Sequence, residues 1–209
     1  METRLNVKYV VMDLSPLFRS VVTAVLPNAE IIADKFHVKR LFLWALESVR
    51  KEEQKKFSSH RKKYFKRSRT LLLKDHDKLA LEEKQQLANM LQISGMLEIA
   101  YGLKERFCLF LNSTTDEEVL KNYAALVKDV EQANIPTFNK HLKTINEWYH
   151  AVYLGLMTGI SNGYTEDTNN NIKVLKRICY GFRNFENFRN RIMLISLNSP
   201  KYVRKDNKN

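Results

Sequence analysis

The chain predicts an α/β fold dominated by helix, and three observations lead there. Its 209 residues include only six Gly and four Pro, which leaves few breaks and favours long helices. Two short β-rich runs near the start each end on an aspartate and flank a helical stretch. From residue 38 to about 160 apolar residues then recur at helical spacing almost without interruption.

The first run, Val7-Lys8-Tyr9-Val10-Val11-Met12, reads as a buried strand that stops at Asp13. Ser15 followed by Pro16 is a strong helix start: a hydroxyl able to cap, then a residue whose fixed φ suits the first turn. That helix should reach about Val25 and end before Pro27-Asn28. Ile31-Ile32-Ala33 is the second strand and stops at Asp34. A strand, a helix and a strand in that order predict a βαβ unit with parallel strands, and α/β folds place their chemistry at the carboxyl ends of such strands. Asp13 points to function, because Ser15 is already available as the cap. Asp34 is equally suited to capping the next helix or to acting in a site. Asp34 and His37 stand three residues apart; they lack the further ligands of a zinc site and fit a hydrogen-bonded pair that orients one member.

The helical interval opens on the apolar stripe Leu41, Trp44, Ala45, Leu46 and Val49. The stretch 50–74 follows, with Arg50, Lys51, Lys55, Lys56, Arg61, Lys62, Lys63, Lys66, Arg67, Arg69 and Lys74 against only Glu52 and Glu53. Phe57, Tyr64 and Phe65 are interleaved. A charge run is commonly a solvated face, but this imbalance suits phosphate contacts, which would be salt-sensitive. Further helices are expected over 79–93, 96–111, 116–133 and 138–157, with Ile135-Pro136-Thr137 as a break. Trp148 and Tyr149 read as packing residues.

Near the C-terminus, Asn162-Gly163 signals a turn, and Thr165 as N-cap would put Glu166 in a first helical turn, where the helix dipole favours a carboxylate. Ile172, Leu175, Ile178 and Phe182 keep helical spacing while Lys173, Lys176, Arg177 and Arg183 crowd the other surface. An ordinary surface helix would look the same. The tail 198–209 is polar, basic and expected to be disordered.

Bulk properties bound the partners. The formal charge of +12 and the pI near 9.6 call for a polyanion, either nucleic acid or an acidic membrane surface. Hydrophobic residues at 44% are enough for a sizeable core. Cys108 and Cys179 are far apart and show no C-x-x-C spacing, so no disulfide framework is expected and a reducing, cytoplasmic setting fits best. No apolar run approaches the ~18 residues of a membrane span. No membrane association is expected.

Taken together, three blocks resemble the catalytic domain of bacterial insertion-sequence transposases with a DDE triad, of the ISL-three-type group. They are Val10-Val11-Met12-Asp13; the run from Pro27 through Ile31-Ile32-Ala33-Asp34 to His37-Val38; and Asn162-Gly163-Tyr164-Thr165-Glu166 through Ile172-Lys173 and Lys176-Arg177 to Tyr180-Gly181-Phe182-Arg183-Asn184-Phe185. Ala100-Tyr101-Gly102-Leu103-Lys104-Glu105 in the helical interval is similar as well. The resemblance covers nearly the whole chain. It implies a partial RNase H-like fold: 1–37 as the first part of the core, 38–160 as an all-helical insertion before the last acid, and 161–197 as closing helices.

The resemblance makes Asp13 the second acid of the triad and Glu166 the third, both holding magnesium or manganese, with Asp34 and His37 as an Asp-x-x-His motif beside them. It implies DNA, both transposon ends and target, as the partner, with Arg61, Lys62, Lys63, Lys66, Arg67, Lys173, Lys176, Arg177 and Arg183 facing phosphates. A homo-oligomer on DNA and a full-length transposase are further implied partners. Two departures stand out: Asp167 follows Glu166 where the family usually has Gly, and no earlier strand supplies the first acid. The expectation is therefore an N-terminally truncated transposase, inactive or nearly so alone. The alternative is a non-catalytic DNA-binding regulator or inhibitor of a full-length transposase, which would bind DNA without needing metal.

Overall fold

The computed structural model describes residues 2–59, 62 and 69–197. The chain divides into two compact units between Ser161 and Asn162.

The first unit begins with a 3-10 turn at Glu2–Asn6 and then forms the expected βαβ unit. Strand β1 (Tyr9–Met12) lies parallel to β2 (Glu30–Ala33), with Tyr9 opposite Glu30 and Met12 opposite Ala33. Helix α1 (Pro16–Val25) connects them. Ser15 caps it by accepting from the Phe18 N–H at 3.5 Å, and Pro16 takes the first turn, as its preset φ favours.

Helix α2 (Lys35–Lys55) is the hub, burying Val38, Leu41, Phe42, Ala45, Leu46 and Val49 at helical spacing. Around it stand α3 (Arg69–Leu73), α4 (Leu81–Leu91), α5 (Gly95–Leu111), α6 (Asp116–Ala133), α7 (Pro136–Glu147) and α8 (Tyr149–Thr158). Phe42 stacks on Phe107 of α5 at 3.9 Å and meets Phe138 of α7 edge-on at 5.3 Å, which locks three helices together. Ser94 caps α5 by accepting from Leu97, and its hydroxyl also donates to the buried Glu53 carboxylate at 2.9 Å. Thr115 caps α6, Asn134 ends it in the left-handed region at φ 48°, and Pro136 starts α7.

The single helix expected over 138–157 is two. The chain turns at Trp148, which is buried, while the exposed Arg19 of α1 lies over its ring at 4.9 Å. Both segments are apolar on the inner side, so periodicity alone does not reveal the bend. Helix α8 crosses β2 closely: a Cβ at Gly155 would come within 3.2 Å of the Ala33 carbonyl oxygen. Glycine is needed there for the approach.

The second unit contains α9 (Gly163–Ile178) and α10 (Phe185–Leu197). Helix α9 starts three residues before the expected place. Gly163 and Tyr164 are already helical, so Thr165 lies inside the first turn and Asn162 is the cap position. The helix stops at Ile178, because Tyr180 and Gly181 take positive φ of 52° and 96°. Phe182 therefore leaves the expected stripe and packs on Phe188 at 4.7 Å. No described helix is long and apolar enough to cross a membrane. The tail 198–209 lies outside the described residues.

Candidate active site

The register of the two strands determines what meets at their ends. Met12 faces Ala33, so the next residues, Asp13 and Asp34, emerge side by side at the carboxyl edge. The Asp34 N–H donates to the Met12 carbonyl at 2.9 Å, carrying the ladder one step further. Asp13 turns out of the strand immediately, its carbonyl accepting from the Ser15 N–H at 2.7 Å.

The two readings of Asp34 separate here. It occupies the N-cap position of α2 with extended backbone, yet its side chain makes no capping bond. Its Oδ2 instead meets His37 Nδ1 at 2.7 Å, one turn along the helix. The same nitrogen lies 2.9 Å from Asp13 Oδ1. Side-chain exposure grades outward through the trio: 4% for Asp34, 27% for His37 and 52% for Asp13. Carboxylates only accept, so the shared Nδ1 must carry the hydrogen. The buried Asp34 orients the ring from behind while Asp13 remains half open to solvent. Phe36 supports the ring edge-on at 5.4 Å.

A ligand atom from each of the three lies within 4.8 Å of the others, the one such grouping of three His, Cys, Asp or Glu residues among the described residues. Sequence spacing joined Asp34 to His37; the strand register adds Asp13. Asp13 meets His37 through one oxygen, and a half-exposed carboxylate of this kind is the hard donor that magnesium or manganese prefers.

Glu166 lies in the first turn of α9, in the second unit, with its N–H donating to the Asn162 carbonyl at 3.0 Å. Asp167 is exposed beside it. Lys173, Lys176 and Arg177 are exposed on the same helix, and Arg183 is exposed beyond its end.

The basic stretch 50–74 needs correction. Arg50, its first cation, is only 4% exposed and is not a DNA-facing group. Its guanidinium grips Glu47 through Nε at 2.7 Å and Nη2 at 2.8 Å, and Nη1 donates to Gln54 at 2.8 Å. Arg69 also reaches Glu47, at 3.2 Å. Lys56 pairs with Glu53 at 2.5 Å, and Lys74 with Glu83 at 2.6 Å. Glu47 and Glu83 lie outside the stretch itself, so part of its excess charge is neutralised from beyond its ends. The signal for two pairs was present: Glu47 and Arg50, and Glu53 and Lys56, are each spaced i, i+3. Lys62 is exposed, whereas Arg61, Lys63, Lys66 and Arg67 lie outside the described residues.

Neither cysteine is disulfide-bonded; burial pushes the Cys108 thiol up to about 11, far from a reactive thiolate.

The structure thus sets two acids at the carboxyl ends of paired parallel strands in a chain of formal charge +12. Comparison with known proteins gives the family. A family model described as transposase, for the ISL3-type DDE group, matches residues 1–192, and the chain belongs to that family. It is 26% identical over 189 residues to the transposase for insertion sequence element IS1001 of Bordetella parapertussis, covering 88% of this chain and 46% of that protein. It is 26% identical over 208 residues to the transposase for insertion sequence element IS1557 of Mycobacterium tuberculosis, covering 87% of this chain and 46% of that protein. A 117-residue segment is 36% identical to a Lactococcus lactis protein named ATP-dependent protease, over 54% of this chain and 35% of that one. The chain thus spans about half the length of the curated transposases it matches. No solved structure is a significant match.

Proposed function

We propose that this chain forms part of the catalytic domain of a DDE transposase, a metal-dependent polynucleotidyl transferase that cuts transposon ends and joins them to target DNA. The observation that supports this most is the Asp13, Asp34 and His37 trio at the ends of two paired parallel strands, in a chain of the transposase family. In this reading the βαβ unit belongs to an RNase H-like core, residues 38–160 form its helical insertion, and 161–197 close it. By the same reading the chain furnishes the second and third acids of the triad, Asp13 and Glu166, and cleavage requires the first as well.

Asp13 in the first unit and Glu166 in the second are the carboxylates proposed to hold magnesium or manganese. Bound there, the metal supplies the activation of a water or a DNA 3′-hydroxyl and the stabilisation of the leaving oxygen. The remaining work falls to this chain's own side chains. Asp34 fixes the His37 ring through Nδ1, leaving Nε2 to orient a phosphate or the nucleophile. Lys173, Lys176, Arg177 and Arg183, with Lys62 and its basic neighbours, neutralise the DNA backbone. Binding as a homo-oligomer on DNA is part of the proposal.

The test is metal-dependent cleavage of end-bearing DNA by the protein completed with a first acid. Asp13→Ala and Glu166→Ala should each reduce it by at least ~100-fold, the scale on which removing a catalytic group acts. Cleavage retained in both variants refutes the assignment. DNA binding that is salt-sensitive, indifferent to metal and never accompanied by cleavage would favour a regulator of a full-length transposase.

A further inference from the structure

One face of α2 is neither core nor ordinary solvated surface. Trp44, which the sequence pattern groups with the apolar stripe, is 51% exposed, and Phe36 is 56% exposed. Arg40 stands between them in the chain, four residues from each, so the three share one side of the helix with about 6 Å of rise between neighbours. Its guanidinium lies over both rings, 5.5 Å from the Phe36 centroid and 4.6 Å from the Trp44 centroid. Both distances are within cation–π reach, and the contacts hold the rings in place before any ligand arrives. The acid one turn further on, Glu47, is bonded to Arg50 and Arg69. No carboxylate pairs with Arg40 among the described residues.

This column starts at the site. Phe36 meets His37 edge-on at 5.4 Å, and His37 in turn contacts Asp13. In the other direction the same arc, about 100° wide at 3.6 residues per turn, continues through the exposed Lys51 and Lys55 towards the basic stretch. Glu47 also falls within the arc, but its partners leave its side chain only 12% exposed. The face therefore offers two fixed aromatic rings and an unneutralised guanidinium beside the acids, with further cations beyond. An apolar protein surface laid here would bury Arg40 without a counter-charge, which is costly. A nucleic-acid strand supplies both missing partners, π-faces for the rings and phosphates for the cations. Within a duplex those π-faces are stacked on one another and out of reach.

We infer that Phe36, Arg40 and Trp44 form a stacking platform for unpaired DNA bases beside the Asp13 and His37 site, with Lys51 and Lys55 following the phosphates. The inference deepens the proposed function and rests on it for the choice of DNA. Phe36 and Trp44 are positioning residues: they hold an opened strand next to the place where it is cut. Because every base has a π-face, the platform carries little sequence preference of its own. It does discriminate between single-stranded and duplex DNA, which phosphate contacts alone do not.

The experiment titrates the full chain with an oligothymidine and with a duplex of the same length at one low salt concentration. The single strand should bind and quench tryptophan emission through Trp44, since Trp148 is buried. Phe36→Ala and, independently, Trp44→Ala should weaken single-strand binding at least ~fivefold, the low end for base–aromatic stacking, and leave duplex binding within about twofold. Trp44→Phe should keep most of the affinity, and the melting temperatures should match the parent's because both rings are half exposed. The inference is overturned if the single strand does not bind, if both alanine variants bind it as tightly as the parent, or if they lose single strand and duplex equally. It is also overturned if acrylamide quenches the free parent no better than Trp44→Ala, because protein then already covers this face. These results are distinct from those of the cleavage test. Trp44-dependent binding in a completed protein whose cleavage survives Asp13→Ala refutes the function and leaves the platform standing; Asp13-dependent cleavage with single-strand binding unchanged in Trp44→Ala does the reverse.

Discussion

Glu47→Gln removes one charge from the most deeply set ion pair of the first unit. Arg50 then keeps its bond to Gln54 but loses two charge-assisted bonds, at 2.7 and 2.8 Å, while remaining buried. Removing the counter-charge of a buried ion costs about 3–5 kcal/mol, and here Gln54 and the new amide oxygen recover part of it, which leaves about 2–3 kcal/mol. Arg69 adds little, because its side chain is half exposed. For a unit of this size that is a fall in Tm of roughly 5–10 °C. The assay is urea and thermal unfolding followed by tryptophan fluorescence, since both tryptophans, Trp44 and Trp148, belong to the first unit. The Glu47→Leu/Arg50→Met double variant should regain most of the loss, because an apolar pair of similar volume needs no desolvation.

The pH dependence provides an internal check on the same pair. Burial pushes the Glu47 carboxyl up, but the Arg50 hydrogen bonds and charge, with Arg69, outweigh it and hold the group below its ordinary value. A carboxyl depressed in the folded state stabilises above its unfolded value, about 4.3, and that contribution is lost as pH falls through the folded one. The gap between parent and Glu47→Gln should therefore be full at pH 7 and narrow below about pH 4. A variant within ~0.5 kcal/mol of the parent at pH 7 would refute the reasoning and return Arg50 to the candidate DNA contacts.

Two further outcomes concern the site and the basic helix. Asp34→Asn removes the carboxylate behind His37 without removing a cap, so it should cost about 1–2 kcal/mol, while Asp13, 2.9 Å from the same nitrogen, still accepts from Nδ1; urea unfolding that matches the parent's would contradict this. Lys173→Ala/Lys176→Ala/Arg177→Ala should lower the slope of log affinity against log salt by about 0.9 for each phosphate no longer neutralised, measured by anisotropy on labelled DNA, and an unchanged slope would remove α9 from the interface.

Much of the site was legible because it is local. Strand, Ser-Pro start and strand set the βαβ unit within a residue or two, and a parallel pair in register brings Asp13 and Asp34 together without further information. The Asp34–His37 spacing is one helical turn. What escaped the sequence depends on long-range packing or on backbone detail. The bend at Trp148 interrupts helices that are apolar on both sides of it. The end of α9 at Ile178 turns on a non-glycine residue, Tyr180, taking positive φ. The basic stretch looks more highly charged in sequence than it is in space, because Glu47 and Glu83 lie outside it along the chain but beside it in the fold.

The most direct measurement of the central claim is metal rescue of Asp13→Cys in the protein completed with a first acid. A thiolate binds magnesium poorly and softer divalent ions better, so the variant should be inactive with magnesium and recover cleavage with manganese, while the parent works with both. Cleavage by Asp13→Cys that is equal to the parent's with magnesium, or absent with both metals while Asp13→Ala stays active, would contradict a role for Asp13 as a metal-holding acid.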